Sequence, residues 1–281
     1  MSSTEENTDN VAPKHVSNEK KRKKAKKPWD RKSKVLLIVG IVLLVAALGI
    51  GGKILYSYMS ADSEYIDLSE VAGVTMDQMD KALEEDDLLS LQVDWDSLKA
   101  QNPDVVGWIY VQGTDINYPI VQGDDNEYYL HHLYDGTYSN SGAIFLDYVN
   151  SPDFSDRHNM IYGHNMLNGS MFAQILQFKD QDFLNQGYKV LILTPEHAYV
   201  LAPAFTYICD GADQLRQVEF ADDEDFRSYI SELMKNAVTD STVDTSKIDK
   251  MFSLVTCSYE ANDVRTVLCC VQTEAVTYPN S

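Results

Sequence analysis

Cysteine is scarce in this sequence, with four in 281 residues, and none of the four stands in a Cys-x-x-Cys pair or at a His/Cys spacing suited to zinc. Cys269 and Cys270 are adjacent and would point to opposite faces of a strand, which argues further against a disulfide framework. Neither a metal nor a cofactor is expected. Positive charge is scarce beyond residue 53, where 11 basic residues face 38 acidic ones, a net −27. The formal total of −20 hides this division, because residues 1–34 hold 11 of the 23 Lys+Arg and 5 of the 43 Asp+Glu, a net +6. No internal repeat is visible. With 44% hydrophobic residues, the chain can still bury a domain core.

Residues 35–52, VLLIVGIVLLVAALGIGG, carry no charge at all. As a helix at about 1.5 Å per residue they would span roughly 27 Å, close to a hydrocarbon core of about 30 Å. A buried core helix would normally carry polar residues. A cleaved signal peptide would have a shorter apolar run than this, with a small-x-small site after it, whereas Met59-Ser60-Ala61 is a poor match. An uncleaved anchor is therefore expected. Lys20 to Lys27 with Arg31, Lys32 and Lys34 lie directly before it, which places the N-terminus in the cytoplasm and the rest of the chain outside. Next to a membrane span this basic cluster reads as contact with anionic headgroups rather than with nucleic acid.

Outside the membrane, residues 53–94 are acidic and intermittently apolar, suggesting one or two helices that form a stalk or pack on the next domain. Asp94 reads as the N-cap of a short helix to Gln101, stopped by Pro103. Eight short strand-like runs follow, at 105–111, 116–121, 143–146, 159–164, 188–193, 199–208, 251–257 and 264–271. Ser170 is expected to cap a helical turn or two. A second helix carries an apolar stripe of Phe226, Tyr229, Ile230, Leu233, Met234 and Ala237, with Asp222 to Asp225 capping its start in preference to binding calcium. Eight strands and few helices imply a closed or nearly closed, antiparallel-rich barrel.

Chemistry must come from few residues. Cys257 ends an apolar run, MFSLVTC, and is followed by polar sequence, so it sits at a strand-to-loop edge, on a rigid element yet open to substrate. His164 ends NMIYGH in the same way and titrates near neutral pH, as a proton carrier for a thiol nucleophile must. His15, His131, His132, His158 and His197 are placed less favourably: His158 precedes its strand and His197 falls in a turn. Arg265, eight residues after Cys257, starts the next run and in a hairpin could face it, offering a guanidinium to an oxyanion or to substrate backbone. A surface ion pair with Glu260 or Asp263 is the competing reading. Cys209, Cys269 and Cys270 read as small buried hydrophobes.

At these residues the sequence resembles the sortases, membrane-anchored cysteine transpeptidases. Ser253-Leu254-Val255-Thr256-Cys257 is similar to their Thr-Leu-x-Thr-Cys nucleophile motif, Arg265 to the following catalytic arginine, and Tyr162-Gly163-His164-Asn165-Met166 to their histidine motif. Class B members look nearest, through Gly142-Ala143-Ile144-Phe145-Leu146-Asp147, Asp153-Phe154 and Asn168-Gly169-Ser170-Met171-Phe172, with the helix at 223–238 where that class carries a long one. Ser253 in place of Thr, and Leu268-Cys269-Cys270, depart from the pattern.

The resemblance covers roughly 95–272. It implies an eight-stranded barrel with peripheral helices at 95–281, with a long helix before the seventh strand. It also implies Cys257 as nucleophile, His164 as general acid/base and Arg265 at the oxyanion, with Thr256, Ser258 and Tyr162 near substrate. The substrates implied are secreted proteins with a C-terminal sorting signal cut after Thr, and the acceptor an amine on peptidoglycan or its lipid-linked precursor. A pilin lysine as acceptor, a hydrolytic cysteine protease and an inactive wall-binding module are the alternatives.

Overall fold

The computed structural model of the chain describes residues 30–210, 216–244, 247–258 and 264–279, excluding the side chains of residues 53–64, 66, 67, 257 and 258. The chain divides into two compact units, 1–51 and 52–281. Helix α1 (Arg31–Val71) begins in the first. Its apolar side chains there, from Val35 to Ile50, are 48–72% exposed. Among the described residues, Arg31–Gly52 is the one stretch long and apolar enough to cross a membrane.

In the second unit, the end of α1 and helix α2 (Met76–Glu85) bury Tyr65, Leu68, Met79 and Ala82 in the main core. The reading of 53–94 as helices that pack on the next domain holds for these residues. Thr75 and Gln78 cap α2 reciprocally, and Asp80 of α2 accepts hydrogen bonds from Tyr110 Oη (2.7 Å) and Gln112 Nε2 (3.0 Å). Helix α3 (Trp95–Gln101) starts where expected, with Asp94 accepting from Ser97 N.

The strands are β1 (Val105–Val111), β2 (Asn117–Val121), β3 (Ile144–Leu146), β4 (His158–Tyr162), β5 (Val190–Leu193), β6 (His197–Asp210), β7 (Ala237–Asp240), β8 (Met251–Ser258) and β9 (Val264–Thr277). Their order is β5-β1-β2-β3-β4-β8-β9-β6-β7, and β5 also pairs with β6. Eight strands thus close into a barrel, and the short β7 is appended to β6 outside the ring. Two pairings are parallel, β2 with β3 and β4 with β8, and the rest are antiparallel. Alternation along the strands sorts two cores. Trp108, Tyr110, Phe252, Leu254, Leu268 and Cys270 fill the main one, whereas Val255, Val267, Cys269 and Tyr207 face outward under helix α5 (Asp223–Met234), which contributes Phe226 and Ile230. Each such fully buried large side chain contributes about 1.5–3 kcal/mol.

Several local expectations change. The apolar stripe of α5 ends with Met234, and Ala237 opens β7 instead of a last helical turn. Ser170 caps no helix: its hydroxyl donates to Asn168 Oδ1, Met171 takes a positive φ of 54°, and a 3₁₀ segment starts only at Ala173. The short helix α4 (Gln181–Leu184) follows that segment. His158 opens β4 instead of preceding it, and His197 opens β6 instead of lying in a turn.

Candidate active site

Three neighbouring strands set the geometry. β4 and β8 run parallel in the register His158↔Met251 through Tyr162↔Val255. One residue further, Gly163 N donates to Val255 O (3.1 Å) and Thr256 Oγ1 donates to Gly163 O (2.8 Å). His164 and Cys257 therefore both stand two residues past the last registered pair. On its other side β8 pairs antiparallel with β9, and there Cys257 lies directly opposite Arg265. The backbones of His164, Cys257 and Arg265 form one row across β4, β8 and β9, with Cys257 in the middle. At about 4.8 Å between strands, the row is roughly 10 Å long.

His164 is half-buried and its Nε2 lies 2.8 Å from Leu130 O. A carbonyl only accepts, so Nε2 carries the hydrogen and Nδ1 is the lone-pair nitrogen of the neutral ring. Its backbone oxygen accepts from Phe172 N (2.9 Å). The chain reaches this position only because residue 163 is glycine: a Cβ there would lie 2.5 Å from Ile144 Cδ1 and 2.7 Å from Phe172 Cγ. Leu130 O is a backbone orienter, which no side-chain pattern in the sequence announces.

Arg265 shares the outward face of β9 with Val267, Cys269 and Val271 and is half-buried. The competing ion-pair partners, Glu260 and Asp263, lie outside the described residues, as do the side chains of Cys257 and Ser258. Tyr162 Oη donates to Asp147 Oδ2 (3.0 Å). Thr256 is 2% exposed with its hydroxyl committed to Gly163. That corrects the expectation that Thr256 touches substrate through its hydroxyl: the group is buried and holds the residue before His164.

The other cysteines differ from Cys257 in place. Cys269 and Cys270 are fully buried on opposite faces of β9, one in each core. Burial pushes the Cys269 thiol up to about 12, against the lowering effect of Ser253, and pushes Cys270 well above the ordinary thiol range. Both stay protonated and unreactive at neutral pH. Cys209 is half-buried, its sulfur 4.0 Å from Arg265 O. The two departures from the motif also find a place here. Leu268 and Cys270 pack in the barrel, while Ser253 Oγ contacts Cys269 Sγ (3.6 Å) and donates to His158 Nε2 (2.8 Å).

His158 is a buried structural histidine. Its Nδ1 donates to Gln217 O (2.9 Å), and burial lowers its pKa to about 4, against the opposing pull of Gln217, Asp147 and Asp156. Among the described residues, no group of three His, Cys, Asp or Glu side chains could hold a metal ion.

No family model matches the chain. It is similar to Sortase B of Listeria monocytogenes, 37% identical over 174 residues that cover 58% of this chain and 66% of that protein. It is 27% identical over 228 residues to Sortase B of Staphylococcus aureus, covering 81% of this chain and 91% of that one. The crystal structure of Clostridium perfringens Sortase B superposes with a TM-score of 0.59 at 32% identity, over 64% of this chain and 99% of that one.

Proposed function

Because the chain belongs to the sortase family, nearest its class B, we propose that it is a cysteine transpeptidase that joins secreted proteins to an amine of the cell wall. The observation that carries this reading is the row of His164, Cys257 and Arg265 across three adjacent strands.

The Cys257 thiolate attacks the carbonyl carbon after Thr in a C-terminal sorting signal, forming the C–S bond. Arg265 and backbone amides beside Cys257 hold the tetrahedral oxyanion. As the C–N bond breaks, His164 gives its proton to the departing amine through Nδ1, the nitrogen that Leu130 leaves unengaged by its own bond to Nε2. An amine of peptidoglycan or its lipid-linked precursor then attacks the thioester, the C–S bond breaks, and His164 takes the amine proton. A free thiol with pKa near 8.5 is only a few per cent ionised at neutral pH, so the guanidinium opposite Cys257 and the imidazole beside it favour the reactive thiolate.

The test uses an internally quenched peptide library with Thr fixed at one position. The full chain in detergent should cleave a subset of it, and an added amine acceptor should convert the acyl product to a ligated one. Cleavage with only water as acceptor at saturating amine would make the protein a hydrolase.

Residues 35–52 anchor this enzyme as a single span with the +6 tail inside, beside both the secreted substrate and the lipid-linked acceptor. Protease added to intact protoplasts should remove the barrel and leave a short basic stub. A mature form starting near Ala61 in the medium would contradict the anchor.

A further inference from the structure

Resting on the transpeptidase reading, we propose that Arg216, through its ion pair with Asp147, is a positioning residue that holds the substrate-side wall of the site and sets the affinity for the sorting signal. The segment from Arg216 to Phe220 leads into α5 and lies against β4. Arg216 grips Asp147 with both arms of its guanidinium, Nε to Oδ2 and Nη2 to Oδ1 at 2.9 Å each, and lies over the Tyr148 ring at 4.7 Å. Asp147 is fully buried, and it also accepts from Tyr162 Oη (3.0 Å) and Val149 N (3.1 Å). Next along the segment, Gln217 O accepts from His158, and Phe220 packs on Phe226 and Tyr229 with centroids 4.7 and 5.4 Å away. At its far end α5 is held by Arg157, which pairs with Asp223 at 2.9 Å and lies over Phe226.

Two kinds of attachment therefore meet at this end of the barrel. His164, Cys257 and Arg265 hang on the backbone ladder of β4, β8 and β9. The wall beside them hangs on side chains, and of its anchors the Arg216–Asp147 pair lies nearest the row. Asp147 bonds Tyr162, the last residue of β4, two before His164 and paired with Val255, itself two before Cys257. Loosening this anchor moves the wall and leaves the row in place, so it acts on substrate binding and not on the chemical steps. A lysine cannot span both carboxylate oxygens in the same plane and restores the grip only in part.

Steady-state kinetics of the full chain in detergent, on the best-cleaved peptide of the Thr-fixed library, tests this. Arg216→Ala should raise KM at least tenfold with kcat within threefold of wild type, and Arg216→Lys should fall between. Because Arg216→Ala strands a buried carboxylate and could fail to fold, the double variant Asp147→Asn/Arg216→Gln removes both charges together. It should fold and still show the raised KM. Melting temperatures accompany each measurement. A lowered melting temperature with KM and kcat both at wild-type values would reduce the pair to a structural tie and overturn the proposal. A fall in kcat at unchanged KM would overturn it equally, by placing the effect on the row. A wild-type protein with no turnover on any library peptide would remove the transpeptidase reading itself, a result independent of Arg216.

Discussion

Replacing Cys257 with alanine is expected to lower peptide cleavage by about 10⁵- to 10⁶-fold, the usual scale for losing an enzyme's covalent nucleophile. The same substitution at Cys209, Cys269 or Cys270 should leave turnover near wild type and cost stability of about 1 kcal/mol each. The contrast follows from position. Cys269 and Cys270 are buried in the two cores with their thiols held protonated, and Cys209 stands two strands away from Cys257, across β9 on β6. Cys257 alone shares a row with His164 and Arg265. Turnover of the four variants, with melting curves to establish folding, checks this. Substantial activity in Cys257→Ala would end the cysteine mechanism.

Arg265 provides the second large effect. If it served only a solvent-exposed ion pair, Arg265→Lys would be nearly silent, since such pairs contribute about 0–1 kcal/mol. Its place directly opposite Cys257 argues for the other role. A guanidinium there offers a planar pair of donors to the developing oxyanion, which a lysine ammonium cannot reproduce, and losing one oxyanion donor typically costs about 100- to 1,000-fold in turnover. Acyl-enzyme formation should slow on that scale in both Arg265→Lys and Arg265→Ala. A folded Arg265→Lys within about threefold of wild type would take Arg265 out of the site.

The strands that carry the row were readable because their residues alternate or run apolar between turn residues, and all eight barrel strands lie where that pattern places them. The ninth, β7, escaped because AVTD is short and its Ala237 continues the helical spacing of Phe226 to Met234. The pairing itself left no local mark. That β4 lies parallel to β8, which brings His164 level with Cys257, depends on a crossover of 88 residues between Tyr162 and Met251. The hairpin from Cys257 to Arg265 was legible because eight residues suffice for a tight return. His158 was hard to place by composition alone, since a histidine satisfied by Ser253 and a backbone carbonyl looks in sequence like any other. The Asp147–Arg216 pair joins residues 69 apart, and Leu130 acts through its carbonyl, so neither offered a spacing to detect.

The central claim is that Cys257 carries an acyl group which an amine, and not water, removes. Its most direct measurement is the mass of the full chain, quenched within its first turnovers on a cleaved library peptide and mapped by proteolysis, with and without an amine acceptor. The account predicts an adduct equal to the acyl fragment ending in Thr, located on the peptide containing Cys257, labile to hydroxylamine, and discharged into ligated product when amine is added. An adduct on any other residue, or one released only as free acid whatever the amine concentration, would contradict it.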